Sequence, residues 1–514
     1  MYRKMRSASR IFVFISAVAV LSPGLAQTAA LNKASFWTPL KNQPGFGAAH
    51  TLLLTDGTVL CQSVLSSDWY RLTPDAKGSY VNGTWSQIAS MPAGYGPLYY
   101  ASAVLADGRV VVMGGEYNLN DNNGNGVWTK LGAIYDPEKN EWSPIEAPSG
   151  WDSIGDAQSV VLPDGHWMLA SCCTGDGRQA AILNPSTLAW RYISSNGKAD
   201  GNDEEGWTLL SDGTVLAVDV GGVPNAERYF PSSDLWMSAG DTPAPLTDRS
   251  SSEVGPGVLR PDGTVFYAGV CEKRFDSDQC ASPAHTAIYS PPARQWGTGT
   301  WKAGPDFPDG LDISDGPASI LPNGNVLMMT SPGIFGIGSV FFEYDGNRLR
   351  RVSGPPRASF DAAYYGNMLV LPTGQVLLTD FSNDIEIYTP NGAPHHDWEP
   401  KIHEAPTFVK PESTYKISGT QFNGVSDGAA YGDDAQSNTN YPLARVTNLR
   451  THDVAYWKTH DHSTMGVATG HAKVSTYFDV PAAAEKGVYF LSVVANGIAS
   501  NARVIVVQSN RHQR

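Results

Sequence analysis

Leu54-Thr55-Asp56-Gly57-Thr58-Val59-Leu60 places an Asp-Gly step between two apolar stretches. Asp-Gly or Asn-Gly between apolar runs is the strongest short-range signal for a β-hairpin, because the turn needs a residue at positive φ. The pattern recurs at Leu105-Ala106-Asp107-Gly108, Leu162-Pro163-Asp164-Gly165 and Leu210-Ser211-Asp212-Gly213. Three further copies are Arg260-Pro261-Asp262-Gly263, Leu321-Pro322-Asn323-Gly324 and Leu371-Pro372-Thr373-Gly374. Successive glycines are 51, 57, 48, 50, 61 and 50 residues apart. A supersecondary unit repeated at near-constant spacing marks a repeat architecture.

A second feature follows most copies by about 25 residues. It is a large apolar residue shortly before Pro, then a Trp. Examples are Tyr135-Asp136-Pro137 with Trp142, Leu183-Asn184-Pro185 with Trp190, and Phe230-Pro231 with Trp236. Tyr289-Ser290-Pro291 with Trp296 and Tyr388-Thr389-Pro390 continue the series. Each unit reads as a four-stranded meander. Stacking such sheets around an axis hides their edges, which predicts a seven-bladed β-propeller of kelch type over 40–395. Two β-sandwiches would not repeat one hairpin at this spacing. Beyond the linker Asn391 to His396 the signature stops, while short alternating strands continue through Val488–Val494 and Ala502–Val507. Residues 400–510 therefore read as an immunoglobulin-like β-sandwich.

Composition agrees with an all-β chain. Its 514 residues include 52 Gly, 35 Pro, 14 Trp and 22 Tyr, and only 17% are charged. Net charge is −14, which argues against a nucleic-acid partner held by phosphate contacts. Arg3, Lys4, Arg6 and Arg10 precede an apolar run from Ile11 to Leu21, then Ser22-Pro23-Gly24-Leu25-Ala26. Residues 1–26 read as a secretory signal, giving a secreted or periplasmic protein that leaves the membrane on cleavage. Cys271 and Cys280 flank a short polar loop and are placed to close a disulfide. Cys172-Cys173 suits either two faces of one strand or a vicinal disulfide, and Cys61 reads as a small buried apolar residue. Asp121 to Gly126 resembles the start of a calcium loop, but its twelfth position is Gly132 rather than Glu, so it reads as a polar insertion.

The order of a kelch propeller and an immunoglobulin-like sandwich resembles the galactose oxidase and glyoxal oxidase family of copper-radical oxidases. In that family two Tyr and two His hold copper, one Tyr is crosslinked to a Cys, and a C-terminal loop brings one His to the axis. The resemblance implies Tyr99, in Gly96-Pro97-Leu98-Tyr99-Tyr100, as the radical tyrosine. It implies Tyr364 as the second tyrosine, with Tyr365 where the family has His. Thr459-His460 matches the C-terminal step, with His462 or Tyr365 completing a possible copper sphere. The family's Cys has no counterpart near Ala48-Ala49, and Cys61 follows on another strand. Copper favours nitrogen ligands, so each lost imidazole weakens the match.

Tyr99 lies eight residues before Asp107. The same offset gives Asp156, Glu204 (beside Asp203 and Glu205), Val254 next to Glu253, Asp315, and Tyr364 with Tyr365; in the first repeat it gives Ala48, two residues before His50. Carboxylates gathered at an axis bind a cation, pair with Lys or Arg, or hold raised pKa values. Scattered structural roles at strand starts are the plainer reading. The expected function is binding or processing of extracellular carbohydrate or a related hydroxylated ligand at the axis. The alternatives are a copper-radical oxidase that turns alcohols or aldehydes over with release of hydrogen peroxide, a non-catalytic binding module, and an acidic glycan hydrolase or lyase.

Overall fold

The computed structural model describes residues 36–119, 126–173, 177–308 and 310–508. The expected signal at 1–26 and the polar stretch Asp121–Asn125 lie outside the described residues. Among those described there is no α-helix, and three short 3-10 turns interrupt an otherwise all-strand chain. No helix among them is long and apolar enough to cross a membrane.

Every repeat turn forms a hairpin. The glycines at 57, 108, 165, 213, 263, 324 and 374 all adopt φ between 75° and 86°, while the residue before each stays at negative φ. In the first copy Gly57 N donates to Leu54 O at 2.9 Å and Leu54 N to Thr58 O at 2.8 Å. This is a three-residue loop with a left-handed glycine, one of the common hairpin connections. The Asp closes it: Asp56 Oδ1 accepts from Thr58 N at 3.0 Å and from Thr58 Oγ1 at 2.6 Å. Asp107, Asp164, Asp212 and Asp262 accept from the backbone N–H two residues on in the same way.

These hairpins build four-stranded antiparallel sheets arranged as a propeller. In the first, Ala48–Leu53, Val59–Ser63, Trp69–Thr73 and Thr84–Gln87 pair in chain order. The opening strands of the repeats are Ala48–Leu53, Ala101–Val104, Ser159–Val161, Trp207–Leu209, Gly257–Leu259, Ala318–Ile320 and Asn367–Val370. Each touches the next, and Asn367–Val370 returns to Ala48–Leu53, so they line one closed axis. Burial follows: Ala101–Val104 is buried throughout, whereas the outermost strands Thr84–Gln87 and Ala189–Tyr192 are mostly exposed. The last sheet is completed by the N-terminal strand Trp37–Pro39, which pairs with Glu386–Tyr388. That closing strand begins three residues before the expected boundary at 40.

The aromatic steps pack on the tryptophans in two of the repeats. Tyr135 meets Trp142, and Tyr229 meets Trp236, at centroid distances of 5.1 Å each. Tyr289 instead takes Trp301 at 5.0 Å, while Trp296 stacks on Phe230 at 4.8 Å and is half exposed. Cys271–Cys280 and Cys172–Cys173 are both disulfides, and Cys61 is a buried free thiol.

Beyond residue 400 two sheets lie face to face. Lys401–Glu404, Ser413–Thr420, Val474–Val480 and Thr459–His460 form one; Leu443–Asn448, Val454–Trp457, Gly487–Ala495, Phe408–Val409 and Arg503–Val507 form the other. Ile417, Val446, Trp457, Phe478, Leu491 and Ile505 fill the space between them. This sandwich packs against the turn end of the propeller. Thr459 N donates to Thr55 O at 3.2 Å, Val454 N to Ala76 O at 2.9 Å, and Met465 N to Pro163 O at 3.0 Å.

Gly57 shows how tight that seam is: a Cβ there would sit 2.5 Å from the Tyr456 ring, whereas one on Gly263 would meet nothing within 4 Å. Both glycines have positive φ, so Ala at either site carries a conformational penalty of about 1 kcal/mol. Gly57→Ala adds a steric clash, and we expect its thermal midpoint to fall clearly below that of Gly263→Ala. Equal losses in a melting experiment would contradict the docked sandwich.

Candidate functional site

The site lies at the axis, at the end away from the hairpin turns. There the chain enters each innermost strand through a short kinked segment. Tyr99, Glu204 and Asp315, all eight residues before their turns, share a left-handed backbone with φ of 54°, 58° and 46°. Gly155 (φ 70°) and Ser252 (φ 68°) put similar kinks just before Asp156 and Glu253. A left-handed non-glycine residue costs on the order of 1–3 kcal/mol, and such residues cluster at functional sites. Its recurrence at one offset in unrelated repeats shows what the kink does: it brings each of these side chains towards the axis.

A hairpin from the C-terminal sandwich completes the cluster. Gly428–Ala430 adds to the innermost strand Ala318–Ile320, with Ala430 opposite Ala318, and then pairs with Ser437–Asn438. Ser437 Oγ donates to Thr51 O at 3.1 Å and Ala435 N to Tyr100 O at 3.1 Å, so the hairpin is bonded into the channel. Its tip carries Tyr431, Asp433 and Asp434. Gly432 permits the insertion, because a Cβ there would lie 2.6 Å from Asp315 Oδ1 and 2.9 Å from Val254 O.

Carboxylates and phenols gather around this tip. One oxygen each of Glu204, Asp315 and Asp433 lie within 4.8 Å of one another. Glu253, Asp156 and Glu116 lie close enough to raise the pKa of other acids in the group, and Asp434 is itself raised by Asp433, Asp156, Asp315 and Glu116. Above them is an aromatic wall. Tyr99 packs against Tyr117 at 6.1 Å, Phe381 at 6.1 Å and Tyr431 at 6.3 Å. Tyr364 meets Tyr365 at 4.6 Å, Tyr365 meets Phe381 at 5.4 Å, and Tyr431 Oη donates to Tyr364 O at 2.8 Å. The vicinal disulfide abuts the rim: the sulfurs of Cys172 and Cys173 lie 3.0 Å from Asp203 Oδ1 and 3.2 Å from Asp156 Oδ1.

Burial and mutual repulsion dominate the electrostatics. Burial pushes Asp156, Glu204, Glu253, Asp433 and Asp434 well above the ordinary carboxylate range, and neighbouring carboxylates push them further. Asp315 is raised by burial. Glu116 is pushed up to about 9, first by burial and then by Asp156. Tyr99 is raised by burial and then by Tyr364.

The structure brings together Tyr99, Asp156, Glu204, Glu253, Asp315, Tyr364 and Tyr365. It does not bring His460 and His462 to them, which corrects the expected copper set. His460 bonds Asp461 at 2.9 Å and Asp479 at 3.3 Å and stacks on Tyr477. His462 bonds Thr476 at 2.8 Å and stacks on Tyr441, and burial lowers its pKa to about 3. Both follow Thr459, which is tied to the turn end, roughly 20 Å from the site by strand rise. The reason is topological: the loop that threads the channel is the earlier one, around residue 432. His50 is also committed elsewhere, between Ser102 at 2.8 Å and Asn367 at 3.0 Å. The sulfur of Cys61 lies 3.6 Å from Gln62 O, and the rings that flank Tyr99 are Tyr117, Phe381 and Tyr431. The donors gathered at the axis are carboxylate and phenol oxygens, a set that does not fit a copper ion needing imidazole nitrogen.

Sequence reasoning missed Glu116, Tyr117, Tyr431, Asp433 and Asp434. The signal available for the last three was an adjacent acidic pair following Tyr-Gly in a stretch without strand periodicity.

No family model matches the chain. A Kelch-like protein of Aspergillus terreus is 32% identical over 90 residues, which is 17% of this chain and 18% of that protein. Galactose oxidase of Gibberella zeae is 24% identical over 310 residues, 57% of this chain and 38% of that protein. The chain thus spans well under half the length of these curated relatives, and its homology to them is weak. A fungal alcohol oxidase of the AA5 family, solved in complex with copper, aligns with a TM-score of 0.52 at 13% identity. The alignment covers 92% of this chain and 98% of the oxidase, and the likeness is one of fold.

The raised carboxyl pKa values fix the sign of a pH dependence. Glu116 keeps its proton in the folded state up to about pH 9 but loses it near 4.5 when unfolded. The folded state binds more protons in that window, so stability is full below about pH 4.5 and falls as pH rises to about 9. Glu386, pushed up to about 8 by burial and then by Asp384, acts in the same direction. We expect chelator-treated protein to melt at progressively lower temperature from pH 5 to 9. Glu116→Gln should remove up to about 1.4 kcal/mol per pH unit from that slope. A flat or rising profile would contradict the buried acidic site.

Proposed function

We propose that the chain is an exported seven-bladed kelch propeller, spanning about 37–395, followed by an immunoglobulin-like domain at about 400–510. At the axis it binds a small hydroxylated ligand, with extracellular carbohydrate as the leading class. The observation that carries this reading is the pairing of an aromatic wall, Tyr99, Tyr364, Tyr365 and Phe381, with a floor of carboxylates. Rings stack on the apolar faces of sugars, and carboxylates accept hydrogen bonds from hydroxyl groups. A pocket lined mainly by aromatics with a few converging polar groups is the usual form of such a site.

The weak relation to galactose oxidase and the AA5 fold favour ligands bearing alcohol groups. They also keep a second reading in play, oxidation of an alcohol or aldehyde with release of peroxide. In that reading Tyr99 and Tyr364 would hold copper and Tyr99 would carry the radical. The oxygen-only donor set speaks against it, as does the placement of His460 and His462.

The test is titration with a panel of neutral and uronic saccharides, followed by calorimetry or tyrosine fluorescence, with a peroxide assay on copper-treated protein in parallel. We expect saccharide binding in wild type, weakened on the order of tenfold or more by Tyr99→Ala and Tyr365→Ala, and no peroxide. Stoichiometric copper with peroxide release on primary alcohols would overturn the binding reading in favour of the oxidase. Binding untouched by either tyrosine substitution would place the ligand elsewhere.

A further inference from the structure

The axial acids differ from the neighbouring acidic group of the fourth repeat in how their charge is met. Beside them, in the fourth repeat, Glu205 and Glu227 are also buried and Asp200 is half-buried, but Lys198 sits among them. Its Nζ donates to Glu205 at 2.8 Å, Glu227 at 3.0 Å and Asp200 at 3.2 Å. No ion pair between described residues involves Glu116, Asp156, Glu204, Glu253, Asp315, Asp433 or Asp434. The strongest charges acting on Glu204 and Asp434 are other carboxylates. The fold meets the acids of the fourth repeat with its own cation and gives the axial group none among the described residues.

An independent observation sits beside the three-oxygen cluster. Asp434 is fully buried, and neither of its carboxylate oxygens has a hydrogen-bond partner. It follows Asp433 directly at the hairpin tip, and after burial Asp433, Asp156, Asp315 and Glu116 raise its pKa further. Asp433 Oδ2, Asp315 Oδ1 and Glu253 Oε2 are likewise buried with no donor but the acids themselves, Glu253 against Asp315 and Glu204 against Asp433. Leaving a buried polar atom unsatisfied costs about 1–3 kcal/mol, more for a charged group. Several such atoms converging in one place call for a species that satisfies them together.

We propose that the propeller axis is a calcium site, with Glu204, Asp315 and Asp433 as the primary ligands and Asp434 completing the set. Calcium takes six to eight oxygens at about 2.3–2.6 Å in flexible geometry, so two ligands of one ion stand up to about 5 Å apart. The 4.8 Å spread of the Glu204, Asp315 and Asp433 oxygens fits that limit. The donors are hard oxygens, which suit calcium and disfavour copper or zinc. Two of the ligands come from the propeller and two from the C-terminal hairpin, so the ion would lock the hairpin into the channel. The remaining coordination positions belong to water or to ligand hydroxyls. The proposal goes beyond the saccharide reading and does not depend on it.

The test uses the full chain, stripped with chelator and titrated with calcium chloride in the absence of any sugar. Calorimetry, thermal melting and tyrosine-sensitised terbium emission report binding. We expect one calcium per chain, a higher melting temperature with calcium, and terbium emission that calcium displaces. Glu204→Gln, Asp433→Asn and Asp434→Asn should each weaken calcium on the order of tenfold or more. In chelator each should melt above wild type, because each replaces an acid that is costly to bury with a neutral amide, and this reciprocal signature also reports that the variants fold. No calcium heat and no melting shift in wild type would overturn the proposal, as would wild-type calcium affinity in the Glu204→Gln/Asp433→Asn double variant. Because the titration contains no sugar, its failure leaves the saccharide reading to its own test, and failure of saccharide binding leaves the calcium result standing.

Discussion

The repulsion between acids crowded at the propeller axis is the constraint on which the rest of this structure turns. Glu204, Asp315 and Asp433 approach within 4.8 Å through strand entries held in left-handed backbone and a hairpin threaded from another domain. A fold does not gather like charges in a buried volume without a compensating term. At Lys198 that term is a side chain. At the axis the chain supplies protons, through raised pKa values, or an ion from outside. The closed ring of innermost strands makes the arrangement stiff, since each strand is fixed by its neighbours on both sides and by the hairpin turn at its far end.

The two domains divide the labour. The propeller contributes a circular set of entry points at one depth, so one offset from the turn yields one ring of side chains. The sandwich grips the turn end through Thr459, Val454 and Met465 and sends Tyr431, Asp433 and Asp434 through the channel to the opposite end. Gly432 is the narrow point of that path, where Asp315 and the Val254 carbonyl leave no space for a Cβ. The site is therefore an interdomain site whose chemistry depends on the docking seam some distance away.

Much of this was legible from residues. The Asp-Gly spacing carries the hairpins and the sheet repeat, because positive φ and the Asx bond are local properties. The offset from the turn, set by Tyr99, leads to Asp156, Glu204, Asp315 and Tyr365, because strand entry depth is similar in these repeats. What failed was non-local. Which tail loop enters the channel depends on how two domains dock, and neither Thr459-His460 nor Tyr431-Gly432-Asp433-Asp434 carries that in its own pattern. The family resemblance favoured the histidines, and the geometry favours the aspartates. Trp296 shows the same limit: it follows Tyr289 at the spacing of the motif, but the longer loop gives the Tyr289 contact to Trp301.

The carboxylate and phenol donors at this axis differ in chemical type from the imidazoles that the sequence resemblance implied. Phenols and carboxylates form a hard, oxygen-rich environment. The most direct measurement is a crystal structure of the full chain grown with a lanthanide, with anomalous scattering locating the metal. The account predicts a single strong peak between Glu204, Asp315 and Asp433, with Asp434 in reach. An axis without a peak, or a peak at His460 and His462 instead, would contradict it.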